Sequence, residues 1–490
     1  MYRTKKKTVL AALLTVCLIF SMAVSGAAET GGNWESFRNS ENNVAITEGE
    51  LPISLAPVYT ATLKVADDWY TNLSEPLLYQ GQVCVAVGDS LVFLDAEGQE
   101  VRRLALSSAI GYNCRIRLAG DFVIVPLSDA SIQTIDLATG ETVWQTQPVL
   151  TIDEGGNTQY HSIQSAIAFD GEALYVPTVC FDVSTYAAVR GEVLCIDAAT
   201  GDVRWQYDNT AGGYNWSGAV VRGGKAVIAG SDGCVRVLDA VSGALLAEQN
   251  LSASVNAAIS FADGYYYAVS SDGTLHQFTV GDDGTIAVTG SVNFAYSSTS
   301  TAAVYDGKAY VGGLLEESVD WSNPGKGVLA VIDVENMTVA QKGETPAEVK
   351  ASPMLSVGED GVNAYFTCNA YPGALYCLTD GEIVTAFTPQ ASAQNYCLTS
   401  PICDDDGVIY YWNDSGTLFA LSDAEEVLLA GDINGDGKVT TADARLLLRM
   451  AVGLDELTEQ ALTAGDMDNS GTITTSDARA VLRIAVGLES

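Results

Sequence analysis

The chain has 490 residues, a formal net charge of −37 and only two histidines. So acidic a protein repels nucleic acid and anionic membrane surfaces, which excludes functions that need a basic face. Beyond the N-terminal leader no segment is long and apolar enough to span a bilayer.

Residues 1–28 read as a secretory signal peptide. Lys5, Lys6 and Lys7 precede an apolar run from Val9 to Val24 and small residues through Ala28. Val16 before Cys17 makes a poor lipoprotein site. The expected mature protein is therefore exported, outside the cell or at its surface. Its nine cysteines are scattered, and Cys84, Cys180, Cys195, Cys234, Cys368 and Cys377 fall on apolar strand-like stretches as small buried hydrophobes. The odd count argues against a disulfide scaffold. Cys180 with Cys195, and Cys368 with Cys377, are the pairs that could face each other across neighbouring strands.

A lead segment, residues 29–52, contains WESFRNSENN from Trp34. Residues 53–427 then repeat one phrase: an apolar strand, a short turn, a second strand ending in Asp, and Ala-Thr-Gly or a worn version of it. The phrase is marked by Asp95, Asp136, Asp197, Asp239, Thr279, Asp333, Thr379 and Ser422, mostly about forty residues apart. An Asp after a strand builds a tight turn through its side chain. Alternating or continuous Val, Ile, Tyr and Leu on both sides read as strand. Four short strands per repeat predict an all-β propeller of eight blades, or seven if one weak repeat is not a blade. Trp144 and Trp205 are expected to pack between blades. The last repeat lacks an outer strand, and Tyr59–Val65 is the candidate to close the ring from the N-terminal side.

This pattern resembles the pyrroloquinoline-quinone-like repeat propellers over residues 33–425, and Trp34, Phe37 and Arg38 match the W-x-x-F-R segment that precedes such domains. The resemblance implies a family holding quinone dehydrogenases, BamB-like assembly lipoproteins and many secreted proteins without known activity. The dehydrogenase branch uses adjacent cysteines, and no two are adjacent here, so no pyrroloquinoline quinone is expected. No haem signature, nucleophile elbow or metal-ligating histidine pair is present. His276 lies on a strand and reads as structural. His161, in an expected loop beside Tyr160, is the better candidate for chemistry. Catalytic residues cannot be picked from so many carboxylates.

A tyrosine precedes the first strand of many repeats: Tyr70, Tyr112, Tyr160, Tyr214, Tyr296 and Tyr396. Equivalent positions of a propeller share one face. The insertions 182–190 and 314–327 open on the same face and add Tyr186 and Trp321. With His161 and Trp216 these residues form a candidate ligand face, suited to polysaccharide or a secreted protein because each aromatic offers a flat apolar surface with a polar tip. The alternative is a polysaccharide hydrolase or lyase.

Residues 428–490 hold one unit twice: DINGDGKVTTADARLLLRMAVGL at 432–454 and DMDNSGTITTSDARAVLRIAVGL at 466–488. A twelve-residue EF-type loop supplies calcium with oxygens from positions 1, 3, 5, 7, 9 and 12, with Gly at 6. The first loop offers Asp432, Asn434, Asp436, Lys438 through its carbonyl, Thr440 and Asp443, with Gly437 at the turn. The second offers Asp466, Asp468, Ser470, Thr472 through its carbonyl, Thr474 and Asp477, with Gly471 at the turn. Ser470 makes the second site the weaker. Position 12 is Asp rather than Glu, and neither loop has a convincing entering helix. The duplicated loop and exit helix resemble a type I dockerin, which implies two structural calcium ions and a cohesin partner on a scaffoldin. By residue match the cohesin contacts are Thr441, Ala442, Arg445, Leu448 and Arg449, and Thr475, Ser476, Arg479, Leu482 and Arg483. Thr441–Ala442 departs from the Ser-Thr pair of the best-known members.

Overall fold

The computed structural model describes residues 34–64, 71–149, 152–154, 157–317, 325–359, 361–424, 430–434, 438–468 and 470–488. The signal peptide, Tyr70, Trp321, Asp436 and Gly437 lie outside them. Eight sheets stand in chain order around a ring, each running from an inner to an outer strand. Blade I is Leu77–Tyr79, Gln82–Val87, Ser90–Leu94 and Glu100–Ala105. Blade IV is Val220–Arg222, Lys225–Ala229, Cys234–Asp239 and Leu245–Asn250. Blade VIII takes its inner three strands from Ile402–Cys403, Ile409–Asn413 and Thr417–Asp423, and its outer strand from Leu55–Thr62. Leu55 pairs with Asp423 and Thr62 with Thr417. The N-terminal strand thus closes the ring, beginning four residues earlier than Tyr59. The blade count is eight.

The repeat-marking aspartates act as expected. Asp136 Oδ1 accepts from the N–H groups of Ala138 and Thr139, Asp197 Oδ1 from Ala199 and Thr200, and Asp239 Oδ1 from Val241 and Ser242. The glycine closing the last two of these turns has a second reason to be glycine. Gly201 and Gly243 have φ near +77° and +72°, and a Cβ on either would lie 2.6 Å from the ring of Trp144 or Trp205 of the preceding blade. Each indole also donates across the blade boundary, Trp144 Nε1 to Ala198 O and Trp205 Nε1 to Ala240 O, both at 2.9 Å. Tyr59 covers Gly98 in the same way where blade VIII meets blade I. Without these contacts each blade would expose two apolar sheet faces.

The lead segment runs through the centre of the ring. Trp34 bridges Leu78 of blade I, and Ile46–Glu48 adds a parallel strand to the inner edge of blade VII, Met354–Gly358. Arg38 is buried with φ +59°. Its Nη1 donates to Ser352 O at 2.6 Å and its Nη2 to Pro401 O at 2.9 Å, tying blade VII to blade VIII. Glu41 accepts from Arg117 of blade II, and Asn43 Nδ2 donates to Ala219 O and Ile259 O, ahead of blades IV and V. The guanidinium of Arg115 lies 3.9 Å from the Phe37 ring centre. Burial lowers the Arg38 pKa to about 10, which leaves it charged at neutral pH.

Blade III departs from the regular pattern. Its third strand, Ala188–Asp197, extends past the blade and pairs with Val179–Asp182, which pairs with Asn157–Ser162. The insertion expected as a loop at 182–190 is thus partly a sheet, with Tyr186 exposed at its turn. The nine described cysteines are all buried and unbridged. Cys180 faces Arg190, and Cys377 faces Tyr365, across their strands.

The C-terminal region is helical: α1, Thr441–Ala451; α2, Glu459–Gly465; α3, Thr475–Ala485. Among its described residues Leu447, Ala461 and Val481 are fully covered, packed with Ile433, Ala444, Ala464 and Ala478. No helix among the described residues is long and apolar enough to cross a membrane.

Candidate functional site

In the C-terminal unit each loop ends in a capping box. Asp443 Oδ2 accepts from the N–H and hydroxyl of Thr440, and its Oδ1 from the N–H groups of Ile433 and Asn434. Asp477 repeats this with Thr474 and Met467. The position-12 carboxylate therefore closes the loop and starts the exit helix at once. Shorter than Glu, it reaches these amides from the first helical turn, and a carboxylate there also complements the positive end of the helix. In the second loop, ligand oxygens of Asp466, Asp468 and Asp477 all lie within 4.8 Å of one another. Three hard oxygen donors so close fit calcium, and a bound ion would offset their mutual repulsion. Ser470 donates its N–H to Asp466 Oδ1 at 2.9 Å, and its hydroxyl contacts Thr472. In the first loop Asp432 is buried and Asn434 exposed.

The predicted contact residues Thr441, Ala442, Arg445, Leu448 and Arg449 are all exposed on α1, and Thr475, Ser476, Arg479, Leu482 and Arg483 are all exposed on α3. Leu448 and Leu482 are 44 % and 42 % exposed, unusual for leucines on a helix with an apolar side. Arg449 is held by Asp455 at 2.6 Å.

The tyrosine face of the propeller does not assemble as a ring. Strands alternate in direction, so the connections entering each blade and those between second and third strands share one face. Tyr296 and Tyr396 are exposed there singly. Tyr214 is fully buried in the core between blades III and IV, its N–H held by Thr178 O of blade III at 3.0 Å, so it offers no surface. Tyr160 stacks on Phe181, with ring centres 5.2 Å apart, in the extension of blade III. His161 lies on a strand of that extension, not in a loop, and is buried, with Nδ1 3.9 Å from Glu192. Desolvation holds it below the usual histidine range, against the pull of Glu192. His276 uses both ring nitrogens on Ser270 and Ser291, as a structural histidine does.

What does come together is Tyr112 and Trp216, 6.5 Å apart between ring centres. Lys350 Nζ lies 5.9 Å from the Trp216 ring, Gln164 accepts from Trp216 Nε1 at 3.1 Å, and Arg115 Nη1 donates to Trp216 O at 3.2 Å. These partners lead into blades II, III and VII, so an indole entering blade IV reaches across the ring axis, and Arg115 links it to Phe37 of the lead segment. Beside it is a small cavity of about 30 Å³ lined by Tyr112, Glu75 and Asp414. Sequence reading missed Glu75, Lys350 and Asp414; no local pattern separates them from the other charged loop residues.

Burial raises the Asp414 carboxyl to about 6. Its folded value exceeds the unfolded one, so the stability it contributes is complete below pH 4 and is lost as pH rises to 6. Asp414→Asn is therefore expected to raise the unfolding free energy at pH 7.5, by on the order of 1 kcal/mol after allowing for partial solvent access, and to change nothing at pH 4. Denaturant titrations at the two pH values check this.

No curated protein matches the chain. The family model described as outer membrane protein assembly factor BamB matches residues 189–426, and that for the type I dockerin domain matches residues 430–484. Among solved structures, BamB from Moraxella catarrhalis is 14 % identical, with a TM-score of 0.53 over 75 % of this chain and 100 % of that one. The quinohemoprotein alcohol dehydrogenase ADHIIG from Pseudomonas putida HK5 is 12 % identical, with a TM-score of 0.59 over 80 % of each chain. The quinohemoprotein alcohol dehydrogenase from Comamonas testosteroni is 11 % identical, with a TM-score of 0.60 over 94 % of this chain and 93 % of that one. At such identities the likeness is one of fold. The chain thus joins a BamB-like repeat domain, within an eight-bladed propeller, to a C-terminal type I dockerin domain.

Proposed function

We propose that the protein is a secreted, cellulosome-type component. Its dockerin holds two structural calcium ions and docks on a scaffoldin cohesin, and its propeller is the displayed cargo, a binding module for polysaccharide or a secreted protein. The observation that carries the docking reading is the pair of matching exposed faces. Each sets two loop residues, two arginines and a leucine at the same helical positions, while Leu447 and Val481 fill the interior. Either face then suffices for docking.

Alanine at Arg445 and Leu448, or at Arg479 and Leu482, is expected to weaken cohesin binding by about twofold to fivefold. All four together are expected to weaken it by at least about a thousandfold, near 4 kcal/mol. Calorimetry against a type I cohesin checks this, and loss of binding from one pair alone would remove the two-face reading.

The second reading, a polysaccharide-degrading propeller, draws on Glu75 and Asp414 sharing one cavity. At about 30 Å³ that cavity does not admit a sugar ring, which favours binding over catalysis. Release of reducing sugar or unsaturated product from pectic or hemicellulosic polymers, lost in Asp414→Asn, would reverse the preference.

A further inference from the structure

The opposite face of the propeller, formed by the turns after first and third strands, carries a much larger opening. A cleft of about 1010 Å³ lies between blades V and VI, with the lead segment at Asn39–Ile46 as its third wall. This is at the upper end of ligand-pocket sizes, about 300–1,000 Å³. Phe261, Tyr265 and Tyr305, each half-buried, line it. The hydroxyls of Tyr265 and Tyr305 have no protein partner among the described residues. Asn42 accepts from Arg222 through Oδ1 at 3.2 Å, which leaves its N–H groups without a protein acceptor. Gln277, by contrast, is spent on Val334 O and Thr289 and so sets the floor.

The charge of the cleft is one-sided. Asp263, Asp306 and Glu335 stand exposed at the rim, and no Lys, Arg or His is among the lining residues. Arg222 stands behind Phe261, 3.8 Å from its ring centre, and is engaged by Asn42. Half-exposed aromatic rings with free hydroxyls suit the apolar faces of sugar rings. An amide donor and carboxylate acceptors suit sugar hydroxyls. Three carboxylates without a lining cation repel uronates and other anions.

We propose that this cleft binds a neutral polysaccharide chain, with Tyr265 and Tyr305 against its rings and Asn42 and Glu335 on its hydroxyls. The proposal rests on the reading of the propeller as a binding module, but it moves the site to the face away from Tyr112 and Trp216. The docking claim is independent of it.

The test titrates the full chain, calcium-loaded, with neutral glucan, xylan and mannan hexasaccharides, with hexagalacturonate, and with hexalysine. At least one neutral hexasaccharide is expected to bind. Tyr305→Ala is expected to weaken it roughly tenfold or more. Tyr265→Phe and Glu335→Gln, which preserve packing, are expected to weaken it about threefold, with unfolding midpoint and cohesin affinity unchanged. Trp216→Ala is expected to leave it unchanged. The site is overturned if neutral binding survives the cleft variants but is lost in Trp216→Ala, an outcome that keeps the binding-module reading. It is also overturned if hexagalacturonate or hexalysine alone binds, or if no neutral hexasaccharide binds at millimolar concentration.

Discussion

Chelating calcium from the intact protein is expected to unfold residues 430–490, abolish cohesin binding and leave the propeller folded. The helical unit has a small core in which Leu447 and Val481 are the only fully covered apolar side chains larger than alanine among its described residues. So small a core does not outweigh the chain entropy of two loops and three helices without a staple. A bound calcium ion would supply it, because its binding free energy appears as folding free energy, about 4 kcal/mol at a free concentration a thousand times Kd. Without the ion, Asp466, Asp468 and Asp477 repel one another at close range. Asp443→Ala is expected to be as severe as chelation of its loop, because it removes a proposed ligand, the return arm of the capping box and the acceptor of the Ile433 and Asn434 amides. Asp455→Ala, which breaks only the solvent-screened surface pair with Arg449, is expected to leave the fold and cohesin binding nearly unchanged. Trypsin sensitivity at Arg445, Arg449, Arg479 and Arg483, with and without chelator, measures the first effect. Cohesin calorimetry measures the second.

Arg38→Ala is expected to destabilise the propeller by about 3–5 kcal/mol. The buried guanidinium satisfies Ser352 O and Pro401 O, and its removal takes the side-chain donor from both buried carbonyls. It also removes the cation between Trp34 and Phe37, 5.9 and 5.3 Å from their ring centres. Arg38→Lys keeps the charge but not the two-armed reach, so an intermediate loss is expected. Arg103→Ala, at an exposed pair with Glu100, is the control and is expected to cost less than about 1 kcal/mol. Denaturant midpoints followed by tryptophan fluorescence compare the three. An equal effect of Arg38→Ala and Arg103→Ala would mean that the central segment does not hold the ring.

The repeat architecture was legible because its devices are local. An Asp that bonds the amides two and three residues on, a glycine at positive φ and alternating apolar residues all act within one hairpin, so Asp136, Asp197 and Asp239 declare their turns in the sequence. Trp144 and Trp205 were also legible, since an indole on an outer strand has only the next blade to cover it. The doubled loop and exit helix were legible for the same reason, since Thr440 with Asp443 and Thr474 with Asp477 close their capping boxes within four residues.

The ligand face was not legible, and particular residues show why. Tyr112 and Tyr214 occupy equivalent repeat positions, yet Tyr112 is 42 % exposed and Tyr214 fully buried. The difference lies in how each loop folds back on its neighbour, which the Tyr-Ser pattern does not encode. His161 moved from an expected loop to a strand because the insertion after Val179 pairs with it, a contact between segments some twenty residues apart. The cleft between blades V and VI joins residues near 40, 265 and 305, and Arg38 meets carbonyls more than three hundred residues away.

By itself the sequence determined what short-range chemistry can specify: eight repeats, their turns, a closing strand from the N-terminal side, and a doubled loop-and-helix unit with two matching helical faces. Only the tertiary structure decided that the lead segment fills the ring centre, that Trp216 crosses the axis, and that the large cleft lies on the other face. Those are closures of the whole ring, and a ring brings together residues whose separation in the chain carries no local signal.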